Sequence, residues 1–324
     1  MKQAEGVVVD THTNKLDELK QENIKIASQI DAADREGNFD LSVKLKRQYH
    51  TNKISMIDLI AFKNEKLTTS ARALKTKVNN MPKAIRYATG IKELDEHLFN
   101  GFEVGSLIQL AGQSFAGKTT LFLQIIANIS KYANAVFFNF EMGDRRIVKR
   151  LTDLLTEDQQ WDNLLINSET RSIEDLIMEI TLLANDGMKF FAVDSRMKLK
   201  KEGSEAEYQK IAYMSSALSE CAIKNDIIIL MINQISEEDL KSKRLSFKGS
   251  GDQLFDSDMA LFIVIEEKEN KVDDNDVDRR LVCIKNRQDE HLFNFILPNN
   301  KARSCINVTE YVYEESDSIQ MSVV

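Results

Sequence analysis

Cysteine is scarce and scattered in this sequence. Cys221, Cys283 and Cys305 lie far apart and form no C-x-x-C pair. That excludes a disulfide framework and a thiolate metal site, and it suits a reducing compartment. The four histidines are equally dispersed, so a zinc site is not expected. No apolar run is long enough to span a bilayer, and the N-terminal MKQAEGVVVD lacks a signal-peptide pattern. A soluble protein with no membrane partner is expected. The net charge of −8 also argues against a general nucleic-acid coat. The charge is uneven, however. Between Leu41 and Ala84 ten Lys/Arg stand against two acids, whereas acids dominate from Glu266 to Asp278. A local basic face can therefore coexist with an acidic whole. At 324 residues, 43% hydrophobic and 29% charged, the chain has room for one large globular domain and an accessory piece.

The accessory piece comes first. Residues 1–12 show no pattern and read as loose. Leu16, Leu19, Asn23, Ile26, Ile30 and Ala33 then recur at spacings of three and four, a helical seam with one polar member. Glu36-Gly37-Asn38 breaks it, and Leu45, Tyr49, Asn52, Met56 and Leu59 mark a second helix. Residues 1–66 are thus assigned to an N-terminal helical hairpin for oligomerisation or partner binding. A self-contained helical spacer fits the same pattern. The polar, basic stretch 67–87, with Pro82, reads as a linker. Residues 88–310 alternate strands with helices, starting from the strand Ser106–Ala111, which implies a mostly parallel, helix-covered sheet. Asp144 reads as the cap of a helix running to Leu155. After Gln234 the helices stop. Strands at Ala260–Ile265, Arg280–Lys285 and His291–Ile296 read as an antiparallel group. Residues 311–324 read as an acidic flexible tail.

The chemistry centres on Gly112-Gln113-Ser114-Phe115-Ala116-Gly117-Lys118-Thr119, which fits G-x-x-x-x-G-K-[ST]. The glycines let the backbone turn tightly and present N–H groups to phosphate. Lys118 brings positive charge to the β/γ-phosphates, and Thr119 offers a hydroxyl to Mg²⁺. A strand before the loop and a helix after it, opening at Thr119-Thr120, complete an anion site for ATP. Asp194 ends the apolar strand Phe190–Val193, the Walker B arrangement, and is the candidate second Mg²⁺ anchor. Glu141 and Gln234 also end strands. In a parallel sheet they open onto the same crevice as the P-loop. There Glu141 could polarise a water and Gln234 could sense the γ-phosphate. Equally, Gln234 could close a turn.

Taken in order, GQSFAGKT, FFNFEMG, FFAVDSR, INQIS, KGSGDQLFDSDMALF and CIKNR resemble the successive motifs of the motor of DnaB-type replicative helicases, a branch of the RecA-like ATPases. The resemblance spans residues 88–300. It implies an α/β, RecA-like P-loop ATPase core that hydrolyses ATP with Mg²⁺ and translocates on single-stranded DNA during replication. A homo-oligomeric ring is implied, a hexamer for this family, with a primase or a loader as further partners, in the cytoplasm of a bacterial or phage-infected bacterial cell. It gives Glu141 the water-activating role and Gln234 the γ-phosphate sensor role. Lys285 and Arg287 become the pair reaching into a neighbouring subunit's ATP. Two loops are expected to face DNA. One carries Lys198, Lys200 and Lys201. The other carries Lys241, Lys243, Arg244 and Lys248, followed by Gly249, Ser250 and Gly251, whose small residues suit close approach to phosphates. The sequence departs from the family in two places. Only a hairpin precedes the linker, and Ser-Arg-Met-Lys follows Asp194 where the family has Tyr-Leu-Gln. Two rival functions fit the same residues. One is a RecA-like recombinase or regulatory ATPase that acts on DNA without unwinding. The other is a nucleotide-controlled assembly scaffold or loader.

Overall fold

A computed structural model describes residues 2–64, 70–80, 85–170, 172–201, 206–236, 238, 241, 244–248, 252–267, 277–289, 291–297, 299–300 and 305–306. The chain divides into two compact units, residues 1–83 with 178–182, and residues 84–177 with 183–324.

In the first unit, α1 (Lys2–Arg35) and α2 (Phe39–Asn64) form a hairpin. Asp34 accepts from Ser42 and Lys46, and Glu22 accepts from Gln48, so the helices run antiparallel. The polar member of the seam is only half satisfied across it: the Asn23 amide donates to Tyr49 O at 3.1 Å, while its Oδ1 is buried without a partner. The helix begins at Lys2, so the stretch 1–12 is helical from its second residue rather than loose. Lys, Gln, Ala and Glu at 2–5 are strong helix formers, and extending a nucleated helix needs no apolar face. A third helix, α3 (Ala71–Asn79), lies within the linker stretch. Ser70 caps it by accepting from Ala73 N, and it stops three residues before Pro82. None of its residues is buried.

The second unit opens with β1 (Arg86–Tyr87), α4 (Lys92–His97) and β2 (Phe102–Glu103), then β3 (Ser106–Gly112) and α5 (Lys118–Ile129). It continues through β4 (Ala135–Asn139), α6 (Asp144–Thr152), α7 (Asp158–Asp162), β5 (Leu164–Asn167), α8 (Ile173–Asn185) and β6 (Phe190–Asp194). Next come α9 (Glu207–Asn225), β7 (Ile228–Ile232), α10 (Asp252–Asp256), β8 (Met259–Glu267), β9 (Val277–Asn286) and β10 (Asn294–Leu297). Eight strands form one sheet in the order β10-β9-β8-β3-β7-β6-β4-β5. The run from β8 to β5 is parallel, and β9 and β10 add antiparallel pairings at one edge. Strands β3, β4, β6 and β7 are buried along their whole length, which is why they read as continuous apolar runs.

In the second unit three expectations change. The β8 segment is not purely antiparallel, because it pairs parallel with β3 over Ile108–Gly112 before turning back through β9. Helices do not stop at Gln234, since α10 intervenes, but five residues are too few to show a helical period. Asp144 is the first helical residue rather than the cap, and its carboxylate accepts from Ser168 Oγ at 3.2 Å instead of closing its own helix. The tail beyond residue 310 lies outside the described residues. Among the described residues no helix is long and apolar enough to cross a membrane.

Candidate functional site

β3 delivers the P-loop to the carboxyl edge of the sheet, between neighbours β7 and β8. Gly112 is required by close approach, because a Cβ there would sit 2.8 Å from Ile263 O. Gly117 has φ +96° and is the residue from which α5 starts. Between them Phe115 takes φ +64° and is 95% exposed at the loop tip. The Lys118 ammonium donates to Gly112 O at 2.9 Å and Gln113 O at 2.8 Å, so it lies over the loop it belongs to. Burial lowers its pKa, and Glu141 and Asp194 oppose that shift.

β6 brings Asp194 opposite Asn139 of β4, where it is 1% exposed. Neither of its carboxylate oxygens has a hydrogen-bond partner at normal geometry. Burial first, and then the negative charge of Glu141, raise its pKa to about 7, while Lys118 and Thr119 pull it down. Two buried, unpartnered oxygens beside a hydroxyl are suited to a hard divalent cation with oxygen ligands. Glu141 sits at the rim just past β4. Its turn is tied by Asn139, whose amide donates to Met142 O at 2.5 Å and whose carbonyl oxygen accepts from Met142 N at 3.1 Å. One cleft of about 840 Å³ takes in Gly112–Phe115, Gly117–Thr120, Glu141 and Gln234. Ala116 is buried beneath the loop and helps to pack it. Hence the structure gathers Lys118, Thr119, Asp194, Glu141 and Gln234 at one edge of the sheet.

Lys285 and Arg287 are elsewhere. Lys285 pairs with Ala260 at the start of β8, and Arg287 N donates to Asp258 O at 2.8 Å. Asp258 N in turn donates to Leu107 O at the start of β3. The P-loop leaves β3 five residues further on, about 16 Å away at the rise of a strand. The pair therefore lies at the amino edge of the sheet, and neither side chain shares a site with its own P-loop. Lys285 Nζ donates to the carbonyls of Leu254 and Phe255 at the end of α10, and Arg287 lies 3.8 Å from Asp258.

Two arginines not singled out from sequence stand beside the cleft. Arg150, in the last turn of α6, lines it. Arg279 is the third residue of β9, and its Cδ and Nε lie 3.7 Å from where a Gly117 Cβ would stand. Its Nη1 is buried with no partner. Neither belongs to a motif, and an isolated arginine in a sequence reads as surface charge. Only the strand pairing Ile265↔Arg279 brings the second one to the loop.

The residues of the two basic loops differ in exposure. Lys198, Lys200, Arg244 and Lys248 are exposed. Lys201 is not simply solvated, since its ammonium rests 4.5 Å from the centre of the Tyr213 ring. Lys241 is exposed as well and also lines the P-loop cleft. Lys243, Gly249, Ser250 and Gly251 lie outside the described residues. Arg196, at the head of the first loop, points inward and is 3% exposed.

Residues 87–160 match the family model described as the DnaB-like helicase C terminal domain. Curated relatives include the DNA repair protein RadA of Escherichia coli, 27% identical over 47% of this chain and 32% of that protein. RadA of Haemophilus influenzae is 26% identical over 57% of this chain and 41% of that protein. This chain thus spans less than half the length of these relatives. The DNA repair and recombination protein RadB of Methanococcoides burtonii is 27% identical over 48% of this chain and 72% of RadB. Among solved structures, a DnaB-like replicative helicase described with its interactions with primase aligns with a TM-score of 0.63 at 17% identity, over 89% of this chain and 75% of that one. A solved ATPase domain aligns at 0.61 and 16%, over 74% and 96%. The likeness to a DnaB-type, RecA-like motor carried by the motifs thus extends to a family model and to the fold.

Proposed function

We propose that this chain is an ATP hydrolase that drives translocation on single-stranded DNA, working as a ring-forming helicase in replication. The observation that carries the ATPase part is the buried Asp194 carboxylate, without a hydrogen-bond partner at normal geometry and under the influence of Lys118 and Thr119, beside a cleft that Lys118, Thr119 and Glu141 line together. A cleft of about 840 Å³ has room for a nucleoside triphosphate. The loop N–H groups and Lys118 hold the phosphates. Asp194 and Thr119 would hold Mg²⁺, which when bound would neutralise phosphate charge. Glu141 positions the attacking water and takes its proton, and Gln234 contacts the γ-phosphate. Lys285 and Arg287 act on the site of an adjacent copy, which makes turnover depend on assembly into a ring, with the hexamer as the expected size. Lys198, Lys200, Arg244 and Lys248 track the DNA backbone. A primase or a loader is the expected further partner, and the bacterial or phage-infected cytoplasm the expected setting.

The likeness to RadA and RadB favours a second reading, a RecA-like ATPase of DNA repair that binds DNA without displacing a strand. A forked duplex with one labelled strand separates the two. With ATP and Mg²⁺ the helicase releases the labelled strand, and Lys118→Ala does not. DNA-stimulated hydrolysis without strand release would establish the second reading. Hydrolysis indifferent to DNA would leave only a nucleotide-controlled scaffold.

A further inference from the structure

Arg196 is a charge inside the protein, and its bonds lead to both basic loops. Its Nε donates to Asn233 Oδ1 at 2.5 Å, and its Nη2 donates to the carbonyl of Lys248 at 3.1 Å. Asn233 directly precedes the cleft residue Gln234, and Ser195, the residue before Arg196, lines the same cleft. The Lys248 peptide is held from both sides. Its N–H donates to Gln234 O at 2.9 Å, while its carbonyl also accepts from Gln253 Nε2 at 3.2 Å. Beneath it the Asn233 amide donates to Gln109 Oε1 and to Gln253 Oε1, the latter at 3.1 Å. Gln109 in turn reaches Ser215 Oγ and Gln253 O, each at 3.2 Å. Arg196, Asn233, Gln109, Gln253 and Ser215 are all buried. Such a network is costly unless its members are satisfied together, so it favours one arrangement over neighbouring ones.

We infer that Arg196 is a positioning residue that locks the two basic loops together through the Lys248 peptide and ties their arrangement to the nucleotide cleft. Exposed Lys198 lies two residues from Arg196, and exposed Lys248 is the residue Arg196 grips. A change at Gln234 moves the Lys248 N–H, and Arg196 passes that movement to the first loop. The inference rests on the reading of the chain as a nucleotide-driven ATPase acting on single-stranded DNA. Arginine is needed because its fork serves two acceptors at once, which a lysine ammonium on a flexible stem does not reproduce.

The test measures coupling between two ligands on the full chain. Affinity for a fluorescent thymidine oligonucleotide is taken with and without adenylyl imidodiphosphate and Mg²⁺. Wild-type protein should show a change of about tenfold, within the usual range of coupling between sites. Arg196→Lys should shrink it to less than about twofold, while analogue affinity and basal hydrolysis stay within about threefold, a split that general loss of stability would not give. In wild-type protein, hydrogen exchange at the Lys248 amide should slow when the analogue binds, a readout that needs no variant. Undiminished coupling in Arg196→Lys, absence of coupling in wild type, or a Lys248 amide indifferent to the analogue would each overturn the inference. Failure of wild type to bind the oligonucleotide in any nucleotide state would instead remove the single-stranded DNA reading beneath it.

Discussion

Asp194 carries a charge that burial and the neighbouring Glu141 disfavour. In the unfolded chain its carboxyl ionises near 3.8, and in the fold near 7. Between those values the folded state binds the extra proton, so this group makes stability fall as pH rises from about 4 to 7. Above 7 the cost is present in full. Asp194→Asn removes the charge and keeps the shape. In chelator and without nucleotide, its melting temperature at pH 8 should exceed that of wild type by at least about 2–4 °C, the shift that 1 kcal/mol gives a domain of this size. The difference should close at pH 5, where wild type is already protonated. A variant that melts lower at pH 8 would mean that the carboxylate is satisfied inside the fold and is not held ready for a cation. Glu141→Gln separates binding from chemistry at the same scale. An amide cannot take the water's proton, so nucleotide affinity should persist while turnover falls by about 10²–10⁴. Normal turnover by this variant in a phosphate-release assay would place the base on another residue.

Elements were legible where one chain segment decides its own fate. Ser106–Ala111, Phe190–Asp194 and Ile228–Ile232 are apolar runs buried on both faces, and the P-loop needs only its glycines and flanks. What stayed hidden depends on partners distant in sequence. No local signal places β8 parallel to β3, turns Arg196 inward or lays Arg279 on Gly117. Lys285 shows the same limit. In sequence it is half of a K-x-R pair, and in the fold its ammonium closes the carbonyl end of α10. Lys285→Met should therefore cost about 1 kcal/mol by urea denaturation, as loss of a partly buried cap does. Arg287→Ala removes a half-exposed, 3.8 Å ion pair and should cost well under that. Equal stability losses in the two variants would show that the fold does not distinguish the two cations as these contacts imply.

The positions of the sites within the second unit bear on the whole molecule. Lys118 and Arg287 lie at opposite edges of one sheet, so a cation that assists the γ-phosphate must come from another copy if Arg287 supplies it. Arg287→Ala should then bind ATP nearly as well as wild type, since Lys118, Thr119 and Asp194 are untouched. Its hydrolysis should fall by about 10³–10⁵, the effect of an arginine acting in trans on phosphoryl transfer. Lys118→Ala fails for the opposite reason, having the outgoing arginine but no working cradle. In a mixed assembly, a Lys118→Ala subunit offers its Arg287 to a neighbour whose P-loop is intact, and that interface is complete. Mixing two inactive proteins should therefore restore part of the ATPase rate, with a maximum at an intermediate ratio. Subunit exchange is checked first with two fluorescent labels. With exchange shown, a mixture as inactive as its parents would mean that no interface is completed by Arg287. The pair at the amino edge would then serve the fold of its own chain, and the transition-state charge would have to come from within one subunit, where Arg150 lines the cleft and Arg279 lies against the loop.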